Sequence, residues 1–290
     1  MKKSHRQRNA EIRSNIAKKD KKRSEARLKR QIKQGKAPEQ PTVAADYKML
    51  ITKKIEMKET DMDLRPLMEQ KLIPGPLHSV LFIASTGQGK TTTVLNWLLS
   101  PDFYKDFFDE QYLFSMSSDL DPMFKLLDLP DDHLISDNIL PRLNEILSSQ
   151  KTAVEKSGFK LAKNIQLIFE DATGNFDLLK SPLMITAFTM GRHLKLSVWV
   201  IAHKYKSLVP CIRLNASQIV LYPCNNGQRD QIIEDYLPAG VKKNCFKAMI
   251  KHAFKPTDED SRPYLFIDNK SQGDPKRFRK GLYEFLEPNC

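Results

Sequence analysis

The sequence predicts an α/β protein in which a mainly parallel central sheet is flanked by helices. Three observations predict this class. Strand-like apolar segments alternate with helical segments between residues 80 and 268, the first of these strands runs into a glycine-containing loop that opens a helix, and a later strand ends in two carboxylates. Alternation of this kind favours parallel pairing, because each helix carries the chain back to the same edge of the sheet.

The predicted strands are short apolar runs bounded by turn-forming or charged residues. They cover residues 80–84, 111–116, 164–171, 196–202, 218–222 and 264–268, and a short strand or two is expected at 49–51 and 55–57. Apolar side chains at helical spacing predict helices from residue 90 to the proline at 101, and over 140–156, 182–192 and 228–237. We expect residues 119–137 to be irregular and acidic, and the basic run 276–280 to form a solvated surface turn.

The loop after the first strand has the residues of a phosphate-binding P-loop. Gly87 and Gly89 let the backbone turn sharply and direct several N–H groups at one anion, and the helix that follows begins with a partial positive charge. We expect Lys90 to reach the β- and γ-phosphates of ATP and Thr91 to ligate Mg²⁺. Ala84 stands where the usual pattern has its first glycine. The predicted nucleotide-binding residues are Ala84, Ser85, Thr86, Gly87, Gln88, Gly89, Lys90, Thr91 and Thr92.

Two carboxylates, Glu170 and Asp171, end the predicted strand 164–171. Ligands of α/β proteins bind at the carboxyl ends of the strands, and hydrolysis requires a carboxylate near Mg²⁺ and a group that positions water. Glu170 is therefore expected to hold Mg²⁺, directly or through water, and Asp171 to orient or deprotonate the attacking water. P-loop hydrolases usually have Asp in the first position, so the division of roles stays open. The alternative is that the two acids begin an ordinary loop.

Three further residues complete the predicted catalytic set. In the common strand order the strand 196–202 lies between the P-loop strand and the acidic strand, so His203 at its tip can touch the γ-phosphate; an exposed loop histidine is the alternative. Arg192 and Arg213 flank this strand. Either can act as an arginine finger that stabilises transition-state charge in a neighbouring subunit, and either can instead form a structural ion pair.

The net charge of +12 is concentrated at the N-terminus. Residues 1–36 contain 15 Lys and Arg against three acidic residues, so the rest of the chain is balanced. Few apolar side chains accompany these charges, which predicts a disordered or loosely helical segment suited to phosphate contacts. A solvated tail or a nuclear-targeting signal is the alternative. We divide the chain into a basic tail and linker at 1–41 and a P-loop domain at 42–290.

Other functional classes have little support in the composition. No apolar run is long enough to span a membrane, and no apolar segment follows the basic N-terminus as it does in a secretory signal. The four cysteines show no C-x-x-C pairing and no adjacent histidine cluster. Neither a zinc site nor a disulfide framework is therefore expected, which favours a reducing compartment.

Together these motifs resemble the genome-packaging ATPases of the FtsK–HerA superfamily, in the poxvirus-type branch of large nucleocytoplasmic DNA viruses and virophages. The resemblance rests on residues 84–91, on the strand 167–171, and above all on Gly191-Arg192-His193 followed by a strand and then Ile212-Arg213-Leu214-Asn215-Ala216. It covers roughly residues 75–225. It implies a P-loop NTPase fold and a ring-forming, Mg²⁺-dependent ATPase that moves double-stranded DNA into a preformed capsid.

The resemblance also implies partners and roles. The partners are double-stranded DNA, capsid or portal-vertex proteins and identical subunits, in the virion or at a viral factory in the host cytoplasm. Lys90 and Thr91 correspond to Walker A, and the two acids at 170–171 to Walker B. His203 stands where this superfamily usually has glutamine, and Arg192 is slightly preferred as the finger.

Three other interpretations stay open on the sequence alone. A helicase or recombination ATPase of the same superclass would share the catalytic residues but would separate strands. A small-molecule kinase would transfer phosphate to a nucleoside, although the paired acids and flanking arginines argue against it. A structural DNA-binding protein would depend on the basic tail and would turn over nucleotide negligibly.

Overall fold

The computed structural model describes residues 64–115, 121–171, 174–258, 260–271 and 275–288. The basic tail and linker at 1–41, the boundary at residue 42 and the short strands expected at 49–51 and 55–57 lie outside these residues. They therefore stay predictions.

A nine-stranded mixed sheet forms the centre of the described part of the chain. Its strands are β1 Ser79–Ile83, β2 Glu110–Ser115, β3 Leu134–Ile135, β4 Ile165–Glu170, β5 Leu196–Ala202, β6 Gln218–Leu221, β7 Leu265–Asp268, β8 Phe278–Lys280 and β9 Glu284–Leu286. Their spatial order is β3-β2-β4-β5-β1-β6-β7-β8-β9. Neighbours from β3 to β6 pair in parallel, and the pairs from β6 to β9 are antiparallel. The predicted fold class is confirmed.

Helices cover both faces of this sheet. They are α1 Pro66–Glu69, α2 Lys90–Leu99, α3 Ile139–Ser157, α4 Phe176–Lys180, α5 Pro182–Met190, α6 Pro210–Asn215, α7 Asn226–Tyr236 and α8 Lys243–Ala253. Side-chain oxygens of Asn175, Ser181 and Asn225 accept backbone N–H bonds at the starts of α4, α5 and α7. These bonds satisfy donors that a helix leaves unpaired at its first turn, and so they fix where each helix begins. No helix of the described residues is long and apolar enough to cross a membrane.

The central strands are buried on both faces, which explains why they appear in the sequence as continuous apolar runs. In β1, Leu81 and Ile83 pack with apolar side chains of α3 to α8. The alternate residues Val80 and Phe82 pack on the other face with α1 and α2, where Trp97 contributes a large buried ring. Two hydrophobic cores therefore hold β1 from opposite sides, and each fully buried apolar side chain contributes roughly 1.5–3 kcal/mol.

The position of β1 decides where the functional residues lie. β1 pairs with β5 on one side and β6 on the other, so that Ile83 is level with Ala202 and with Leu221. The strand β5 lies between β1 and β4, as the sequence predicts. Because these strands are parallel, the loops that follow them emerge at one edge of the sheet.

Periodicity does not give the direction of a strand, and β7 shows this. The predicted strand 264–268 is present as β7, but it runs antiparallel to β6, with Leu265 level with Leu221. The start of β7 therefore lies at the edge where β1 and β6 end. The predicted helix 182–192 also ends early: α5 stops at Met190, and residues 191–194 continue as a 3₁₀ helix.

Two loop predictions need correction. Within 119–137, the described residues contain 3₁₀ helices at 122–127 and 131–133 and the strand β3, which extends the sheet beyond β2. The run 276–280 is not a solvated turn, since it includes β8 and the Arg279 side chain is only 1% exposed. Arg279 donates to the main-chain oxygens of Lys71, Leu72 and Lys276 and lies 3.7 Å from Oδ2 of Asp268. Acceptors from three separate segments, which the sequence does not reveal, make burial of this charge possible.

The cysteine prediction also needs correction. Cys245 in α8 is disulfide-bonded, whereas Cys211 and Cys224 are free and partly buried. Spacing along the sequence excludes only local pairs, because a disulfide requires proximity in space.

We expect Arg279→Ala to lower the free energy of unfolding by about 3 kcal/mol, because it removes a buried cation and leaves the buried Asp268 and three main-chain carbonyl groups without their donor. Urea denaturation measures this loss. The matched control is Lys280→Ala in the same strand, for which we expect a change within about 0.5 kcal/mol. Equal losses in the two variants would contradict the assignment of Arg279 to the core.

Candidate active site

The carboxyl-terminal ends of β1, β4 and β5 open into a cleft of about 330 Å³. The cleft is lined by Thr86, Gly87, Gly89, Lys90, Thr91, Thr92, Asp121, Met123, Glu170, Asp171, Ile201, His203 and Arg262. Most of the predicted P-loop, both predicted acids and His203 therefore lie together at this edge of the sheet. Ala84, Ser85 and Gln88 belong to the loop but do not line the cleft.

The P-loop backbone has the conformation that its glycines predict. Gly87 and Gly89 have φ angles of 77° and 95°, which glycine adopts without the strain that a Cβ would cause. Gly89 caps α2, so the unpaired N–H groups of the first turn of α2 face the cleft. Ala84 is not among the described residues with positive φ. An alanine therefore fits the position where the usual motif has its first glycine.

Lys90 is held at the base of the cleft, where its side chain is almost fully buried. Its Nζ donates to the main-chain oxygens of Ala84 at 2.8 Å and Ser85 at 3.3 Å. Burial lowers the pKa of Lys90, and the nearby carboxylates of Asp171 and Glu170 oppose this shift. The ammonium group has lost most of its water and is surrounded by oxygen acceptors, which is the setting in which it binds an anion strongly.

His203 connects Lys90 to Asp171. Its Nδ1 lies 3.1 Å from Lys90 Nζ, and its Nε2 lies 3.4 Å from Asp171 Oδ1. An ammonium group only donates hydrogen bonds, so Nδ1 must accept and the ring proton lies on Nε2, facing the carboxylate. Asp171 has φ 47°, a left-handed conformation that Asp tolerates, and this turn ends β4 beside His203. The three side chains form one polar chain across the cleft.

Glu170 is the last residue of β4 and immediately precedes Asp171 in the sequence. Its Oε2 accepts a hydrogen bond of 2.9 Å from Ser115 Oγ, because Ser115 is level with it on the paired strand β2. Burial raises the pKa of Glu170, and the negative charges of Asp171 and Asp121 raise it further. Hydrogen bonding to Ser115 and the charge of Lys90 act in the opposite direction. The cleft lining thus carries three carboxylates, Asp121, Glu170 and Asp171, against the two cations Lys90 and Arg262.

The side chains present fit a magnesium ion. Thr91 offers a hydroxyl and Glu170 a carboxylate in the same cleft, and a divalent cation would relieve the repulsion that raises the pKa of Glu170. Within the described residues, no group of three or more His, Cys, Asp or Glu forms a metal cluster. Mg²⁺ is commonly bound by one or two protein oxygens together with phosphates and water, so this donor set suits Mg²⁺ better than zinc or calcium.

Arg192 does not reach this cleft. It lies between α5 and β5, and it lines a second cavity with Ser79 and Leu196, which begin β1 and β5. This cavity is at the amino-terminal edge of the parallel strands, opposite the P-loop. Arg192 is exposed. Because it lies at the edge opposite the P-loop of its own chain, it is placed to contact a phosphate on another molecule.

Arg213 is buried in an ion pair, which is the alternative that the sequence left open for it. Its side chain is 10% exposed, its Nε lies 3.1 Å from Oδ2 of Asp235 in α7, and its guanidinium lies over the ring of Tyr205 at 5.1 Å. The sequence permitted this ion pair as an alternative but did not identify the partner, because Asp235 is distant in the chain. Moving Arg213 to a neighbouring site would leave the largely buried Asp235 carboxylate without its cationic partner.

Sequence reasoning missed three residues that contact the site. Ser115 follows from the β2–β4 register, and Asp121 follows β2 in the segment expected only to be acidic. Arg262 comes from the loop before β7, where no motif marked it. The contact between residues 170 and 115 could have been predicted from the order of the strands. The position of Arg262 at the cleft could not, because it depends on the antiparallel direction of β7.

Comparison with known proteins agrees with this fold. The family described as Poxvirus A32 protein matches residues 67–271, well over half of the chain. A search of curated proteins by sequence finds no significant match.

Two solved structures have the same general fold. The DNA-packaging ATPase B204 from Sulfolobus Turreted Icosahedral Virus is 13% identical, with 71% of this chain and 97% of that chain covered and a TM-score of 0.50. The genome packaging NTPase B204 from Sulfolobus turreted icosahedral virus 2, in complex with AMP, is 14% identical, with 70% and 96% covered and a TM-score of 0.50. At these identities the likeness establishes the fold.

We expect Glu170→Gln to melt at a higher temperature than wild type at about pH 7 without nucleotide or metal, by a few degrees at most. The folded-state pKa of Glu170 lies above its unfolded-state value. Wild type therefore loses stability as pH rises through the interval between the two values, and the neutral amide does not. Below that interval the two proteins should melt alike, which thermal unfolding across pH measures.

The matched control for this prediction is Glu110→Gln. Burial raises the pKa of Glu110, but hydrogen bonds from Lys163 and Tyr112 outweigh it, so the net shift is downward. This substitution should therefore lower the melting temperature at about pH 7. A lower melting temperature for Glu170→Gln as well would contradict the charge crowding described above.

Proposed function

The chain belongs to the poxvirus A32 protein family, as its motifs predict, and on this premise we propose that it is a genome-packaging ATPase. In this proposal ATP hydrolysis drives double-stranded viral DNA into a preformed capsid. One observation carries the proposal: the P-loop lysine, His203 and Asp171 form a continuous polar chain beside Glu170 in a cleft at the sheet edge. A phosphate-binding loop opposite two carboxylates is the arrangement that nucleoside triphosphate hydrolysis requires.

The described residues suggest how the cleft acts on ATP. The first-turn N–H groups of α2 and the ammonium of Lys90 would bind the phosphates. Thr91 and Glu170 would hold Mg²⁺, which supplies positive charge between the β- and γ-phosphates. Asp171, whose carboxylate faces the ring proton of His203, would then orient the attacking water. We assign water positioning to Asp171 because Glu170 would be occupied by Mg²⁺ in addition to its hydrogen bond from Ser115.

Nucleotide binding would rearrange the polar chain. Lys90 donates to two loop carbonyl groups and to His203, and phosphate oxygens, which carry full charge, compete well for the same donors. Transfer of Lys90 to a phosphate would leave Nδ1 of His203 able to interact with the γ-phosphate through a donor such as water. His203 would thereby link the state of the nucleotide to the orientation of Asp171.

The arginine finger would be Arg192 acting on a neighbouring subunit. Its exposed position at the edge opposite the P-loop suits a head-to-tail arrangement, in which one subunit's amino-terminal edge meets the next subunit's cleft. Such contacts close into a ring when the rotation permits. Hydrolysis would then depend on the neighbour, which allows subunits to fire in sequence.

The remaining parts of the proposal concern partners. The charge of residues 1–36 suits DNA phosphates, and capsid or portal-vertex proteins would anchor the ring during packaging. The protein would act in the virion or at a viral factory in the host cytoplasm. The family membership supports these roles, as does the similarity in fold to B204, a DNA-packaging ATPase.

We expect purified protein to hydrolyse ATP in a Mg²⁺-dependent reaction that long duplex DNA accelerates. Lys90→Ala should abolish the activity, because it removes the cation that binds the phosphates. Phosphate release with and without DNA at low salt measures both effects, and deletion of residues 1–36 tests whether the tail supplies the DNA contact. A wild-type rate no higher than that of Lys90→Ala would contradict the ATPase assignment. A rate that does not change when DNA is added would contradict the translocase assignment.

We expect Arg192→Ala to bind ATP like wild type but to lose hydrolysis by about 10³-fold or more, the usual effect of removing an arginine finger. Mixing it with Lys90→Ala tests whether the finger acts between subunits. Each variant alone is inactive, but a mixed ring contains intact clefts that face intact fingers, so part of the activity should return. No recovery on mixing, with subunit exchange verified by labelled protein, would exclude action in trans.

A further inference from the structure

The guanidinium of Arg262 lies against the P-loop, outside every motif that predicted the site. A Cβ built on Gly89 would lie 3.4 Å from Cδ and 3.5 Å from Nη1 of Arg262. Arg262 also lines the cleft that contains Lys90. A second cation therefore stands beside the anion-binding loop.

The fold holds Arg262 in this place. Its backbone N–H donates to Oδ1 of Asp260 at 2.9 Å, which fixes the turn before β7. Two residues later, the ring of Tyr264 packs on Tyr222 at 5.4 Å, and the hydroxyl of Tyr222 is hydrogen-bonded to Thr93 in α2. The loop that carries Arg262 is thus tied to the helix that follows the P-loop.

The surroundings of Arg262 differ from those of the arginines that are paired with carboxylates. Arg213 and Arg279 are buried beside carboxylates, and Arg142 pairs with Glu145. In the described part of the chain, no carboxylate lies within ion-pair distance of the Arg262 guanidinium, and its side chain is exposed. A guanidinium that is not committed to a protein carboxylate can bind phosphate oxygens in a bidentate manner.

The sheet order shows which part of a nucleotide Arg262 would contact. Glu170 ends β4, which lies two strands from β1 on one side. Arg262 precedes β7, which lies two strands from β1 on the other side. The terminal phosphate must lie towards the carboxylates, where hydrolysis takes place. The phosphates nearer the nucleoside then lie towards Arg262.

We propose that Arg262 is a nucleotide-binding residue that contacts the α- and β-phosphates of the nucleotide in its own subunit's cleft. The inference rests on the proposed function only in requiring that the cleft binds a nucleoside di- or triphosphate. Because the diphosphate and the triphosphate share these two phosphates, Arg262 contributes to the binding of both. Its position in cis also separates it from Arg192, which faces the opposite edge.

Isothermal titration calorimetry of the full chain with ADP and with ATPγS, both with Mg²⁺, tests this assignment. Arg262→Ala is expected to weaken both affinities by a similar factor of about tenfold or more, the usual effect of losing a charge-assisted hydrogen bond. Arg262→Lys should recover part of the loss, since it restores the charge but not the planar fork. Arg142→Gln, which removes a surface guanidinium outside the cleft, should change neither affinity.

The outcomes separate this inference from the proposed function. Unchanged affinities in Arg262→Ala, with binding abolished in Lys90→Ala, would overturn the role of Arg262 and leave the ATPase assignment intact. Loss of ATPγS affinity with ADP affinity unchanged would place Arg262 at the γ-phosphate and overturn the assignment to the α- and β-phosphates. Absence of binding in wild type would overturn both. Thermal melting verifies that each variant is folded. If Arg262→Ala is not folded, the nucleotide affinities of Arg262→Lys are compared with those of Arg142→Gln, and equal affinities in these two variants would overturn the role of Arg262.

Discussion

The parallel pairing of β1 with β5 and β6 is the constraint on which the site depends. It brings the P-loop after β1, His203 after β5 and, through the β4–β5 pair, Glu170 and Asp171 to one edge of the sheet. A shift of one residue in any of these registers would turn the buried side chains of that strand to the opposite face. The two hydrophobic cores resist such a shift, and so the geometry of the cleft is fixed by packing that lies below it.

The cleft itself is electrostatically costly. Lys90 is nearly buried, and burial and like charge raise the pKa of Glu170. Neither group is in the environment that would favour its charged form. Sites that bind charged ligands commonly sacrifice local stability in this way, because groups satisfied within the protein would gain little from a ligand. Burial of the apolar strands and helices offsets the unfavourable free energy of the cleft.

The strands and helices were largely predictable because they are governed by local patterns. Apolar runs, helical spacing and prolines placed β1, β4, β5 and α3 within a residue or two of their observed bounds. Properties that depend on distant parts of the chain were not predictable. The direction of β7 and the burial of Arg279 each depend on partners far away in sequence. A local pattern contains no information about such partners.

The sequence by itself determined the proposed phosphate-binding chemistry, since Gly87, Gly89 and Lys90 would act through backbone conformation and charge that a short segment can specify. It also identified the poxvirus-type family. Only the tertiary structure decided how the arginines differ. Arg213 is paired with Asp235, Arg192 lies at the opposite edge, and Arg262 rests against the loop. The physical reason is that a guanidinium's role depends on which acceptors surround it, and strand order and direction decide that.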